Sequence, residues 1–172
     1  MVSRFRPRSP FKVLRQALSC ALVLTVAPTV MADAPAAVEE YVIVVSSDVP
    51  VTSLSIDHLR RMFLFREKYW KPGRPVKLIY SEEGVEPGSF LLERIYRSDY
   101  SALRRLIVEK LYQEEIDLAP KVVASDNVAV AFVASGRGLV ALVRAAAARG
   151  GKAKIVAIDG ILPGAAGYAL RR

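Results

Sequence analysis

The sequence has little of the chemistry that catalytic and metal sites need. Its 172 residues contain one cysteine, one histidine and one tryptophan. Because the cysteine is Cys20, the chain from Asp33 onward has no thiol, which excludes disulfides, iron–sulfur clusters and thiol catalysis there. A lone His58 does not make a zinc site, and it has no recognisable serine partner for nucleophilic catalysis. We therefore predict no catalytic residue, no metal site and no cofactor.

The first 32 residues have the three parts of a secretory signal peptide. The chain opens with five basic residues and no acidic one: Arg4, Arg6, Arg8, Lys12 and Arg15. An apolar run at 17–27 follows, too short for a bilayer span of about 20 residues. We expect cleavage after Ala32 or after Ala34, and favour the first because Pro35 would follow the second cut. The alternatives for this segment are a short buried helix or a membrane anchor.

Cleavage would leave a short polar leader at 33–40 and one domain at 41–172. The whole chain has a net charge of +8, but the signal segment holds five of the basic residues. The remainder has 20 basic and 17 acidic residues, a net charge of +3, which gives no reason to expect nucleic-acid binding. We therefore expect a periplasmic protein whose mature form does not span the membrane.

Apolar runs alternate with helical patterns along the rest of the chain. Five runs read as strands buried in a sheet, at 41–45, 76–80, 122–123, 139–143 and 155–158. Four longer patterns read as helices, at 56–63 with a cap at Ser55, at 90–96, at 101–116, and at 128–135 after a cap at 125–127. This order predicts an α/β domain with a mostly parallel sheet flanked by helices.

Ligands of such sheets bind beyond the carboxyl ends of the strands. The loops after Val45, Tyr80, Ala124 and Val143 are therefore expected to meet at one edge of the sheet. Ser46, Ser47, Ser81, Gly88, Ser89 and Ser125 are the residues of these loops that we predict to bind a ligand. The alternative is that they only cap turns and helices.

Three stretches, in order, resemble the phosphate-binding proteins of ABC transporters, which are type 2 periplasmic binding proteins. They are Leu54–Phe63 with Tyr69–Val76, Ser125–Val133 with Gly138–Val140, and Ala157–Pro163 with Gly167–Leu170. The resemblance implies a periplasmic-binding-protein-like domain that binds phosphate or another small oxyanion, and an ABC permease or another envelope protein as partner. The family has two lobes, whereas residues 41–172 have room for about one.

The family's glycine-serine-glycine-threonine-arginine loop falls at residues 81–89, where this chain lacks the threonine–arginine pair. Glu82, Glu83 and Glu86 stand there instead. A like charge at about 4 Å costs on the order of 1 kcal/mol in water and more in a dry cleft, so these carboxylates oppose an anion unless they point outward. Three interpretations stay open: a plain helix start, a retained anion site, and a site for a cation or polyamine.

Two functions follow from these patterns. The first is an exported solute-binding protein that resembles the phosphate-binding component of an ABC transporter. The second is a reduced domain that has lost its ligand and serves as a protein-interaction or sensory module in the envelope. The absent arginine and the length of about one lobe favour the second.

Overall fold

The computed structural model describes residues 38–71 and 73–172, so the expected signal peptide and most of the leader lie outside the described residues. Eight strands form in this part of the chain. They are β1 (Tyr41–Val45), β2 (Ser53–Leu54), β3 (Tyr69–Trp70), β4 (Arg74–Pro75), β5 (Lys77–Ser81), β6 (Lys121–Val123), β7 (Leu139–Arg144) and β8 (Lys154–Ile158).

Five α-helices and one π-helical turn connect the strands. The α-helices are α1 (Ile56–Phe63), α2 (Gly88–Leu91), α3 (Tyr100–Tyr112), α4 (Asp126–Ser135) and α5 (Ala145–Arg149). The π-turn, Leu92–Tyr96, continues α2 directly and ends at Arg97 in the left-handed conformation. The predicted helix at 90–96 is thus a short α-helix and a π-turn.

Six strands form one sheet in the order β2-β8-β1-β7-β5-β6, and β3 pairs with β4 in a small separate hairpin. Strands β2, β8, β7, β5 and β6 all run in the same direction. The prediction of an α/β domain with a mostly parallel sheet is therefore confirmed.

The direction of β1 differs from the prediction. This strand lies between β7 and β8 and is antiparallel to both, with Tyr41 opposite Arg144 and Val45 opposite Val140. The exit of β1 after Val45 therefore lies at the edge where β7 begins. Our expectation that this loop shares an edge with the exits of β5, β6 and β7 was wrong.

Each face of the sheet is covered by its own hydrophobic core. One face packs on α1, α2, the π-turn and α3, with Tyr41, Phe63 and Leu142 among its fully or nearly fully buried side chains. The other face packs on α4 and α5 through a smaller cluster that includes Val44 and Val133. Because β1 is buried on both faces, all five of its residues are apolar.

The helix starts follow local sequence rules. The Ser55 hydroxyl accepts a hydrogen bond from the His58 N–H at 3.1 Å, as an N-cap serine does. Ser125 caps α4 in the same way through the Val128 N–H at 3.4 Å. The buried face of α1 contains Leu59, Met62 and Phe63, which confirms the helical spacing seen in the sequence.

Trp70 joins the small hairpin to the main sheet. Its side chain is buried and its Nε1–H donates to the Gly138 carbonyl at 2.9 Å, while the neighbouring Tyr69 is exposed. Trp70 therefore closes the edge of the core, as a buried indole with a satisfied N–H does.

No helix within residues 38–71 and 73–172 is long and apolar enough to cross a membrane. In the same residues, no three acidic, histidine or cysteine side chains are grouped so that they could hold a metal ion.

Candidate functional site

The carboxyl edge of the sheet is where β5, β6, β7 and β8 end. Because β1 runs the other way, it begins at this edge, and Tyr41 lies beside Arg144. The edge therefore combines the loop after β5, the start of α4 and the start of β1. Residues after the last strand also return here, since the Tyr41 N–H donates to the Leu170 carbonyl at 2.9 Å.

Four of the predicted site residues lie at this edge. Ser81 is buried at the end of β5, and Gly88 packs so closely on it that an added Cβ would lie 3.6 Å from the Ser81 Cβ. Ser89 is in the first turn of α2, and Ser125 precedes α4. The loop after β5 is tied to the end of β6, because the Glu82 N–H donates to the Val123 carbonyl at 3.2 Å.

The other two predicted residues, Ser46 and Ser47, lie at the opposite edge. Ser46 is fully buried, and its hydroxyl accepts from the Leu139 N–H at 3.1 Å while its own N–H donates to the Leu139 carbonyl at 3.0 Å. Ser47 is exposed beside it. The structure thus separates this pair from Ser81, and the Ser46 hydroxyl binds the start of β7.

Glu86 is the centre of the carboxyl edge. Its carboxylate accepts hydrogen bonds from the Ser89 hydroxyl and from the Arg172 guanidinium. It shares the Tyr41 hydroxyl, 3.0 Å away, with the Glu39 carboxylate, which lies 2.9 Å from that hydroxyl. The Phe90 backbone N–H donates to it as well. These are the donor types that an oxyanion receptor uses, namely hydroxyls, a backbone amide and an arginine. In this structure all of these donors already bind a carboxylate of the chain itself.

The pKa values of two carboxyls reflect this environment. Burial acts to raise the pKa of Glu86, but the hydrogen bonds from Ser89, Tyr41 and Phe90 and the charge of Arg172 outweigh it, so the net pKa is lowered. Burial likewise acts to raise the pKa of Glu40, and its bonds to Gly164 and Arg171 lower it below the ordinary value. Both groups are thus stabilised as anions.

Three arginines at this edge are paired with carboxylates of the chain. Arg144 Nε lies 2.6 Å from Asp126 Oδ2, and Arg171 Nε lies 2.9 Å from Glu40 Oε1. Arg172 bridges Glu86 and Glu93. The positive charge of these three arginines is therefore already balanced by carboxylates of the chain.

There is also little space beside Ser81. The cavity lined by Ser81, Glu82, Gly88 and neighbouring residues of α2 and α3 has a volume of about 10 Å³. That is the space of about one water molecule, and a phosphate ion does not fit it. Glu82 and Glu83 are exposed at its rim and point to solvent.

The sequence pointed to this loop but not to the role of Glu86. Sequence reasoning counted its carboxylate as a repulsive charge, whereas the structure makes it the acceptor at the centre of the donors. The missing information was the direction of β1, because only an antiparallel β1 brings the Tyr41 hydroxyl to this loop. His58, the single histidine, lies on α1, and its Nε2 is 3.0 Å from a Glu67 carboxylate oxygen.

We predict that the folded domain loses stability as the pH falls below about 4.5, the ordinary pKa of a glutamate. A carboxyl whose pKa is lowered by folding adds stability above its unfolded pKa, and this stability is lost as the pH falls through the folded pKa. Glu40 and Glu86 are in this class, and so are the more exposed Asp99 and Glu115. Urea unfolding measured between pH 7 and pH 3 tests the prediction.

The contribution of Glu86 can be isolated with a matched pair of variants. Glu86→Gln is expected to make the free energy of unfolding depend less on pH, because this variant lacks the carboxyl whose pKa is lowered in the folded state. Glu82→Gln should leave it as in the wild type, since the exposed Glu82 carboxylate accepts no hydrogen bond from any described residue. If the free energy of unfolding changes with pH equally in the wild type, Glu86→Gln and Glu82→Gln, the role assigned to Glu86 is contradicted.

The sheet order and the helices on both faces define the class of fold, an α/β domain with a mostly parallel sheet. The chain has the fold of solved phosphate-transport receptors. It matches an ABC-type phosphate transport receptor from Vibrio cholerae with a TM-score of 0.63 and 15% identity, over 78% of this chain and 55% of the receptor. PstS from Borrelia burgdorferi matches with a TM-score of 0.61 and 13% identity, over 78% and 55%.

A third similar structure, from Clostridium perfringens, is described as a phosphate ABC transporter substrate-binding protein with bound phosphate. It matches with a TM-score of 0.59 and 13% identity, over 78% of this chain and 53% of that one. The chain thus spans about half the length of the structures it matches. No protein-family model and no curated protein sequence matches it. The resemblance predicted from the sequence is confirmed in the fold.

Proposed function

We propose that this chain is an exported domain of the solute-binding-protein fold that acts as a protein-interaction module of the envelope and not as a receptor for free phosphate. The observation that carries the proposal is the pairing of Arg144, Arg171 and Arg172 with carboxylates of the chain. An anion would have to displace Glu86 from four donors and then face its negative charge. The small cavity beside Ser81 supports the same conclusion.

The proposal that the chain is exported is based on its first 32 residues. Their basic head, apolar run and small-residue exit are the features of a cleaved signal peptide. The proposed product is a periplasmic domain that begins at Asp33 or shortly after. Its partner would be an ABC permease or another envelope protein.

The second candidate function is phosphate binding for uptake. It is favoured by the structural likeness to phosphate receptors, one of which contains phosphate. The donors around Glu86 also support it, because an oxyanion that displaced this side chain would meet Ser89, the Phe90 N–H and Arg172. In this reading Glu86 swings outward when the ligand enters.

Calorimetric titration of residues 33–172 with phosphate separates the two functions. This segment contains every described strand and helix. We expect no binding heat up to millimolar phosphate, with sulfate at equal ionic strength as the control. A dissociation constant in the micromolar range would overturn the proposal, and its weakening in Ser89→Ala would place phosphate at the Glu86 loop.

The interaction role needs its own positive test. Chemical crosslinking of the exported protein in intact cells is expected to give a discrete species of higher mass. A protein that stays entirely monomeric after crosslinking contradicts the interaction role, whatever the phosphate titration shows.

A further inference from the structure

A groove runs between α4 and α5 on the face of the sheet away from α1 and α3. It has a volume of about 470 Å³ and is lined by small side chains, among them Ala131, Ala134, Ala146, Ala147 and Gly150. The helix that forms one wall is apolar around its whole circumference, since residues 128–134 contain no polar side chain. Such helices are normally buried on all sides, yet this one presents Val130, Ala131 and Ala134 to the groove, and Ala131 is exposed. The groove is thus an apolar surface suited to a partner.

The rim of the groove is basic. Two basic side chains, Arg149 and Lys152, lie at this groove. Lys152 lines the groove, and Arg149 lies on α5 itself. Neither forms an ion pair with any described residue, and both are exposed. The partner that fits this surface combines an apolar projection with acidic residues beside it.

The opposite face of the same domain carries such a projection. Tyr112, at the end of α3, is 89% exposed, and Leu118 shortly after it is 80% exposed. Exposed acidic residues surround them and form no ion pair within the described part of the chain: Glu109, Glu114 and Asp117. We call residues 108–118 the acidic knob. An almost fully exposed tyrosine with acidic neighbours complements an alanine-lined groove with basic residues beside it, in apolar character and in charge.

We propose that the acidic knob of one copy, led by Tyr112, docks into the α4–α5 groove of a second copy. The inference names a partner for the interaction role proposed above but uses surfaces remote from Glu86. A groove-to-groove dimer would bring the two basic rims together, so it is disfavoured. Because knob and groove lie on opposite faces of the sheet, one copy cannot close the contact on itself. The association is therefore head-to-tail and forms rings or open chains.

Sedimentation velocity of the purified chain from Asp33 tests self-association. We expect the mean mass to rise with protein concentration at low salt and to fall back to the monomer in 1 M NaCl, since charge attraction at the rim is screened. Tyr112→Ser and Ala131→Trp should each weaken association by about tenfold or more, as loss of a central anchor does. Leu162→Ser, which removes a different exposed apolar side chain, should have no effect.

Mixing the two defective variants gives the decisive result. Tyr112→Ser retains an intact groove and Ala131→Trp retains an intact knob, so the mixture is expected to form a 1:1 heterodimer and nothing larger. Circular dichroism confirms that each variant is folded. The proposal is overturned by a wild-type protein that stays monomeric, by variants that do not weaken association, or by a mixture that forms no heterodimer.

Two further outcomes would assign the surface differently. Binding of the monomer to phosphatidylglycerol vesicles, lost in Lys152→Glu, would make the basic rim a membrane contact and overturn the proposal. A bilayer is flat, however, whereas this groove is concave and suits a single projecting side chain. If the purified chain is monomeric and the chain in cells crosslinks to a different protein, self-association is overturned. The interaction role then stands.

Discussion

Replacing Arg144 with alanine is expected to lower the free energy of unfolding by about 3 kcal/mol, because it leaves the buried Asp126 carboxylate without its charge partner. The Asp126 side chain is only 3% exposed, and its Oδ1 already has no hydrogen-bond partner among the described residues. After the substitution, the Arg144 backbone N–H at 3.3 Å is the donor that remains. Urea unfolding at pH 7 measures the loss.

Replacing Asp126 with asparagine should lower the free energy of unfolding by less than Arg144→Ala does. In Asp126→Asn the Arg144 guanidinium stays charged, but its side chain is 46% exposed and can turn to water. The double variant Arg144→Ala, Asp126→Asn is therefore expected to be more stable than Arg144→Ala alone. Arg137→Ala, an exposed arginine in no ion pair with a described residue, should change stability by at most about 0.5 kcal/mol. An Arg144→Ala protein as stable as this control would show that the pair contributes nothing.

Gly138→Ala should lower the free energy of unfolding by a similar amount, for a different reason. Gly138 has a φ of +70°, and an added Cβ would lie 2.5 Å from the Pro75 carbonyl oxygen. The left-handed backbone costs an L-residue about 1–2 kcal/mol, and the clash adds a further 1–3 kcal/mol or so. We expect a total loss of about 3 kcal/mol. Trp70, whose Nε1–H donates to the Gly138 carbonyl, should report the shift by its fluorescence.

Gly160 provides the matched control. Its φ is +80°, but no atom lies within 4 Å of the position that a Cβ would take. Gly160→Ala should therefore show only the backbone cost, about 1 kcal/mol. If both alanine variants lose the same amount, the close approach of Pro75 to Gly138 has no energetic weight.

Local features of this fold could be read from the sequence because short-range chemistry decides them. Ser55 and Ser125 precede apolar periodic segments, and both cap helices as expected. The apolar run of β1 was equally clear. Its direction was not, because a strand buried on both faces has the same pattern whether it runs parallel or antiparallel to its neighbours.

That one undetermined direction decided how well the site was predicted. Ser81, Gly88, Ser89 and Ser125 lie at the exits of parallel strands, and the expectation that they share an edge was correct. Ser46 and Ser47 follow β1 and were placed at the wrong edge. The pairing of Glu86 with Tyr41 and Arg172 joins residues far apart in the sequence, and no local pattern could indicate it.

The position of β1 also has a consequence for the order of folding. Strand β1 lies between β7 and β8, which leave the ribosome after the other described strands of this sheet. The centre of the sheet therefore cannot close until β7 and β8 have been made, and contacts of this long range form slowly. For a chain proposed to cross a membrane before it folds, such a delay keeps the polypeptide extended long enough to be threaded through a translocation channel.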